Sequence, residues 1–156
     1  MIIEICAATA HDIPTLIAIS QRTIMKMYPP FLGEEAVSAY VASGAVSRFF
    51  QDNIDACLIA SLGAHLIGCA SAKRNVLDLI IIDSDLHGRG YGSKLLEAVE
   101  ERLGERPCVL TLNSFRDNDQ ANGFYRKNGW QVDREFVDPE THIPMVRMCK
   151  TLMNSG

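Results

Sequence analysis

Apolar and polar residues alternate over residues 2–7, Ile2-Ile3-Glu4-Ile5-Cys6-Ala7. A period of two is the mark of a strand with one buried face. A polar break over residues 9–12 precedes Pro14, which suits the first turn of a helix. Leu16, Ile17, Ile24 and Met27 then recur near helical spacing. The run Tyr28-Pro29-Pro30-Phe31-Leu32-Gly33 ends that helix, because consecutive prolines cannot continue it. A second helix is expected from Glu34 to about Phe50, with Gly44 as its weak point. The period changes at residue 55. Residues 56–62 and 65–72 predict two strands joined at Gly63-Ala64, a hairpin signal. Residues 76–82, rich in β-branched side chains, predict a third strand.

A glycine cluster follows, and then a helix in which Leu95, Val99 and Leu103 recur every four residues. Glu97, Glu100 and Glu101 are expected on its outer face, and Gly104 as its stop. Residues 109–115 predict a strand. Asp117-Asn118-Asp119 offers capping side chains for a short helix ending at Gly129. Residues 131–137 and 145–152 predict two last strands, joined by a loop holding Pro139 and Pro144. The order is β-α-α-β-β-β-α-β-α-β-β. It implies a mixed α/β fold in which helices cover a largely antiparallel sheet. With no repeat or linker, residues 1–156 are expected to form one domain.

Composition narrows the partners. The chain is 47% hydrophobic and 22% charged, enough to bury a core. Its formal net charge of −4 comes without a basic stripe, which argues against nucleic acid or an anionic membrane as the main partner. A small anion stays open, since backbone amides can hold one on an acidic protein. The first residues lack the basic flank and length of a signal peptide, and apolar runs such as residues 79–82 are far short of a membrane span. Cysteines 6, 57, 69, 108 and 149 are odd in number and lack metal-ligand spacing. They are expected as reduced, mostly buried thiols of a cytoplasmic protein, with no metal site.

The most informative stretch is Ile80-Ile81-Ile82-Asp83-Ser84-Asp85-Leu86-His87-Gly88-Arg89-Gly90-Tyr91-Gly92-Ser93-Lys94. It is an apolar strand, a glycine turn and a helix start. Glycines let a backbone turn tightly and approach a ligand. The unpaired N–H groups of a first helical turn, with the helix dipole, then suit a phosphate. A P-loop counted from Gly88 requires glycine at 93, where Ser93 stands, and the dinucleotide pattern Gly-x-Gly-x-x-Gly fails there too. From the glycines alone, a tight turn with no ligand remains an alternative.

His87-Gly88-Arg89-Gly90-Tyr91-Gly92 resembles the acetyl-CoA motif of the GNAT N-acetyltransferases, Gln/Arg-x-x-Gly-x-Gly/Ala, with His87 in the place of Gln or Arg and Ser84 in that of a common Pro. A second segment is similar to that family's Asn-x-x-Ala-x-x-Phe-Tyr-x-x-x-Gly-Phe: Asn118, Ala121, Phe124, Tyr125 and Gly129 match, and Trp130 replaces Phe. Ala121, Phe124 and Tyr125 also share one helical face by spacing alone, which equally fits plain packing, and Asn118 equally fits a helix cap.

The resemblance implies a GNAT fold and transfer of an acetyl group from acetyl-CoA to an amine, with no acyl-enzyme. Backbone groups of His87, Gly88, Arg89, Gly90, Tyr91, Gly92 and Ser93 are then expected to hold the pyrophosphate. Ile80, Ile81 and Ile82 are expected to bond the pantetheine arm, with an N–H near Ile81 or Ile82 polarising the thioester carbonyl. Asn118, Ala121 and Phe124 complete the cofactor set. Tyr125, a phenol with a reference pKa of about 10, is the implied proton donor to the leaving thiolate. Asp78, a carboxylate inside the apolar strand, is the candidate base; His142 and His65 are weaker ones, and His11 and His87 read as surface residues. Acceptor contacts are expected from residues 27–33 and 138–145, with Tyr28, Phe31 and His142 lining a slot. The acceptor is then a small-molecule or peptide amine, and a homodimer is in keeping with the family. A coenzyme A-binding sensor without turnover is the alternative.

Overall fold

The computed structural model describes residues 2–103 and 106–153. Seven strands, β1 (Ile3–Ala7), β2 (Cys57–Leu62), β3 (His65–Lys73), β4 (Val76–Ile82), β5 (Cys108–Phe115), β6 (Gln131–Val137) and β7 (Pro144–Leu152), form one sheet in the order β1-β2-β3-β4-β5-β7-β6. The pairs β1–β2, β2–β3, β5–β7 and β6–β7 are antiparallel, and β4–β5 is parallel. This is the mixed, mostly antiparallel sheet flanked by helices that the residue pattern predicts.

Two compact units can be described separately. The first holds the chain up to Ala72 and Leu79–Arg102; the second holds Lys73–Asp78 and the described residues from Leu103 onward. In the first unit, α1 (Ile13–Met27) has Pro14 in its opening turn, and Asp12 just before it accepts the Thr9 N–H at 2.9 Å. It ends before the prolines, as expected. Pro29 and Pro30 do not form a loop, however: they open a short helical turn, α2 (Pro29–Leu32). A proline lacks the N–H that a first turn leaves unpaired anyway, so the same residues that stop one helix can start the next.

The single helix expected over 34–50 is two helices, α3 (Glu34–Ala42) and α4 (Ala45–Asn53). The break is at Gly44, whose φ of +79° is left-handed and reverses the chain. The fold then packs Val37 of α3 and Val46 and Phe50 of α4 with Leu16 and Ile24 of α1. Cys57 and Ile59 of β2, Cys69 of β3 and Ile81 of β4 complete that core. Along β2 the intervening Leu58 and Ala60 are buried too, so both faces of the strand are covered. The β2–β3 hairpin turns at Gly63-Ala64, with Leu62 opposite His65.

The last helix of this unit, α5 (Tyr91–Arg102), buries Leu95, Leu96 and Val99 and contacts β1. Glu97 and Glu101 are exposed, but Glu100 is buried, against expectation. It lies one turn beyond Leu96, on the edge of the buried stripe. Gly104, expected as the helix stop, lies outside the described residues. The thiols divide as well: Cys57 and Cys69 are buried, Cys108 and Cys149 half-buried, and Cys6 is exposed rather than buried. Burial pushes the Cys69 thiol far above its ordinary value, so it stays protonated. In the second unit β5, β7 and β6 form an antiparallel ladder, and α6 (Asp119–Lys127) connects β5 to β6.

Candidate active site

The strand β4 leads into the glycine turn. Its last residues, Ile81 and Ile82, are buried. The strand stops at Asp83, whose N–H donates to the Ile67 carbonyl of β3 at 2.8 Å. Asp83 then bends the chain. Its Oδ1 accepts the Asp85 N–H at 3.2 Å and its carbonyl accepts the Leu86 N–H at 2.9 Å, closing a 3-10 turn over Ser84–Leu86. An Asp that accepts from the residue two ahead is the usual way to start such a turn.

His87 is not a free surface residue, contrary to the sequence reading. It is half-buried, and its Nε2 lies 2.8 Å from the Ile82 carbonyl. A carbonyl only accepts, so this nitrogen carries the proton. The ring therefore ties the end of the acidic turn back to the end of β4.

Gly88 and Gly90 follow with φ of +79° and +83°. Both lie in the left-handed region, which glycine adopts without a Cβ penalty. A Cβ built on either meets no atom within 4 Å. The glycines are thus required by backbone conformation and leave open space above the turn. Lys94 N–H donates to Gly90 O at 3.3 Å, so α5 begins at Tyr91 and the amides of Tyr91, Gly92 and Ser93 have no acceptor within the helix. Three first-turn donors, a helix dipole and an unfilled approach are what a pyrophosphate requires. These residues fit the phosphate end of coenzyme A.

Two basic residues of α1, one turn apart, reach this turn. The Arg22 guanidinium pairs with Asp83 Oδ2, and Lys26 Nζ lies 3.3 Å from Asp85 Oδ1. A cavity of about 420 Å³ opens beside Arg22, bordered by Ile19, Ile67 and Leu86. The sequence reading missed Arg22. The available signal was a basic pair four residues apart on one helix and two carboxylates two residues apart in one turn.

In the second unit the motif helix is fastened at both ends. Asn118 caps α6, its Oδ1 accepting the Ala121 N–H at 3.3 Å. Asn122, which sequence reasoning did not single out, is buried. Its amide donates to the carbonyls of Phe115 (3.0 Å) and Arg116 (3.2 Å), and its oxygen accepts the Ser114 hydroxyl at 2.6 Å. A buried amide with three partners fixes the β5–α6 corner. At the other end Gly129, with φ +93°, donates to Arg126 O at 3.1 Å, and Trp130 N–H donates to Tyr125 O at 3.0 Å. This is a Schellman close, and it explains the glycine and the following aromatic residue of the motif. Tyr125 is half-buried, with ring centroids 5.5 Å from Phe124 and 6.2 Å from the buried Trp130.

Asp78 is exposed on β4, between exposed Val76 and half-buried Ile80. Local desolvation raises its carboxyl above the ordinary carboxylate value, partly opposed by Lys73. The recorded β4–β5 register lies near the start of β4, at Val76↔Thr111. Tyr28 and Phe31 are half-buried with rings 5.3 Å apart, and Tyr28 packs on the core of the first unit. Burial, with a smaller contribution from Tyr40, raises its phenol. His142 is exposed in the β6–β7 loop at a left-handed φ of +62°, its N–H donating to Asp138 O at 2.8 Å. His65 and His11 are exposed. Among the described residues no group of three or more His, Cys, Asp or Glu side chains can hold a metal ion, and no helix is long and apolar enough to cross a membrane.

Comparison with known proteins assigns this sheet, with its glycine turn between β4 and α5, to a family. The sequence profile of the acetyltransferase (GNAT) family matches residues 22–130, more than half of the chain, which therefore belongs to that family. It is 36% identical to YxbD of Bacillus subtilis over 67 residues, 42% of either chain. It is 43% identical over 56 residues to YjaB of Escherichia coli, a peptidyl-lysine N-acetyltransferase, covering 36% of this chain and 35% of that one. The matched segments thus span less than half the length of these relatives. The solution structure of apo YjaB superposes with a TM-score of 0.79 at 26% identity, covering 96% of this chain and 97% of that one. The PaiA N-acetyltransferase of Thermoplasma acidophilum, solved with coenzyme A, superposes at 0.77 and 20% identity, covering 97% and 100%.

Proposed function

We propose that this protein transfers an acetyl group from acetyl-CoA directly to a primary amine of a small molecule or peptide, without an acyl-enzyme. The observation that carries the reading is the glycine turn, with two left-handed glycines open to solvent and three helix-start amides free of intrahelical acceptors. Membership of the acetyltransferase (GNAT) family supports it. A peptide acceptor draws support from the peptidyl-lysine activity of YjaB, and coenzyme A binding from the PaiA complex.

Acetyl-CoA supplies the activated acetyl thioester. The chain's part is to hold it and to move protons. Backbone amides of 88–93 bind the pyrophosphate, and backbone groups of Ile80, Ile81 and Ile82 align the pantetheine arm. Orienting the thioester against the amine accounts for much of the acceleration. Tyr125 gives its phenolic proton to the departing thiolate, and Asp78 takes one from the ammonium form of the acceptor. A carboxyl with a raised pKa is the stronger base. Tyr28, Phe31 and His142 serve the acceptor side. Cys69 plays no part, since a buried thiol held protonated is a poor nucleophile. The whole is read as one acetyltransferase domain acting in the cytoplasm.

The test is release of free thiol from acetyl-CoA across a panel of alkylamines, arylamines, lysine peptides and peptide N-termini. Turnover with at least one amine is expected. Tight binding of acetyl-CoA with no turnover on any of them would replace the enzyme with a coenzyme A-responsive sensor.

A further inference from the structure

The phosphate turn contains an electrostatic conflict. Asp83 and Asp85 stand just before the amides that would bind a pyrophosphate. The loop they occupy is closed, because the His87 ring returns to the Ile82 carbonyl at 2.8 Å. Asp83 is therefore held next to the start of the donor segment. Its side chain is only 17% exposed, so water screens it poorly. An uncompensated carboxylate there would repel the same anion that the helix start attracts.

The structure answers the conflict from α1. We propose that Arg22 is a positioning residue for cofactor binding: by pairing with Asp83 it neutralises the carboxylate that precedes the phosphate turn. This rests on the reading that the pyrophosphate of acetyl-CoA binds at 88–93. Asp83 uses its carboxylate twice, Oδ1 on the Asp85 N–H and Oδ2 on Arg22. The first bond sets the turn and the second cancels its charge. Lys26 and Asp85 add little, because both are mostly exposed, at 57% and 74%. Arg22 itself is 54% exposed beside the open cavity, so dissolved ions can reach the site if the guanidinium is removed.

The experiment is calorimetric titration of acetyl-CoA into wild type, Arg22→Ala, and Arg22→Ala combined with Asp83→Asn, each at low and high ionic strength. Asparagine keeps an oxygen for the Asp85 N–H and removes the charge. Arg22→Ala is expected to bind roughly fivefold more weakly than wild type at low salt, the scale of one uncompensated charge in partly solvated protein. Relative to wild type at the same salt, the deficit should shrink to about twofold or less near ~0.5 M, where screening is short-ranged. The double variant should return to within about twofold of wild type at low salt, its carboxylate charge gone. A merely structural role predicts neither the salt rescue nor the repair by a second substitution. Unchanged affinity in Arg22→Ala, or a deficit that persists at high salt and in the double variant, overturns the proposal. Gly90→Val separates this from the underlying reading: wild-type affinity there removes the pyrophosphate from the turn, whatever Arg22 does.

Discussion

Gly68, in the middle of β3, is the position at which one methyl group should do most damage. No left-handed conformation demands glycine there; the demand is for space. A Cβ built on Gly68 lies 2.3 Å from the Ile81 carbonyl oxygen, 2.6 Å from Ile82 Cδ1 and 3.1 Å from Ile82 Cα. The first contact is more than 1 Å inside the ~3.5 Å at which non-bonded atoms rest, and it is against backbone, which cannot rotate away. Gly68→Ala must therefore push β4 off β3 at the residues that lead into the glycine turn. Overpacking of this kind costs about 1–3 kcal/mol. For a chain of this size each kcal/mol lowers the midpoint by about 2–4 °C, so a fall of ~2–12 °C is expected in thermal unfolding followed by circular dichroism. The sign is a real test. Where space allows, Gly→Ala stabilises by about 0.4–1 kcal/mol, because alanine loses less chain entropy on folding. A midpoint within about 1 °C of wild type, or above it, would refute the argument that β3 and β4 touch at Gly68.

Gly90→Val adds a side chain at φ +83°, in open space, so acetyl-CoA affinity should fall severely, at least tenfold by calorimetry, while the fold survives with a strain of about 1–2 kcal/mol. Tyr125→Phe keeps the ring packed against Phe124 and Trp130 and removes only the hydroxyl, the proposed proton donor. It should lower kcat by about 10²–10⁴-fold with acetyl-CoA affinity near wild type, and by only about tenfold if solvent substitutes as donor; unchanged turnover on a good amine reduces it to a packing residue. As the proposed base, Asp78 can act only when deprotonated, so turnover should fall as pH drops through its raised pKa, and Asp78→Asn should abolish that limb of the pH–rate profile while leaving acetyl-CoA binding intact. In stability the sign is opposite to that of a salt-bridged carboxylate. A raised folded pKa favours the protonated form, so stability is lost as pH rises from the ordinary carboxylate value through the raised one, and the Asn variant should show no such loss in unfolding at a series of pH values.

Periodicity and turn chemistry carry their information locally, and what they predicted was local. The strand–glycine turn–helix unit, the hairpin at Gly63-Ala64 and the capped helix after Asn118 are each fixed by neighbours within a few residues. Backbone hydrogen bonds and φ preferences do not depend on distant chain, so these elements are visible in sequence. The sequence also marks Gly44 as a weak point, but whether it bends a helix or ends it depends on where Val37 and Phe50 find a core. Pro29 and Pro30 likewise signal a stop without saying that a new turn starts there. The tertiary structure alone decided the pairing of Arg22 with Asp83, 61 residues away, the return of His87 to the Ile82 carbonyl and the three bonds of buried Asn122. It also buried Glu100, which spacing placed outside. A polar side chain's partner depends on which elements pack together, and the pattern of apolar residues specifies that packing without naming the polar contacts at its edges.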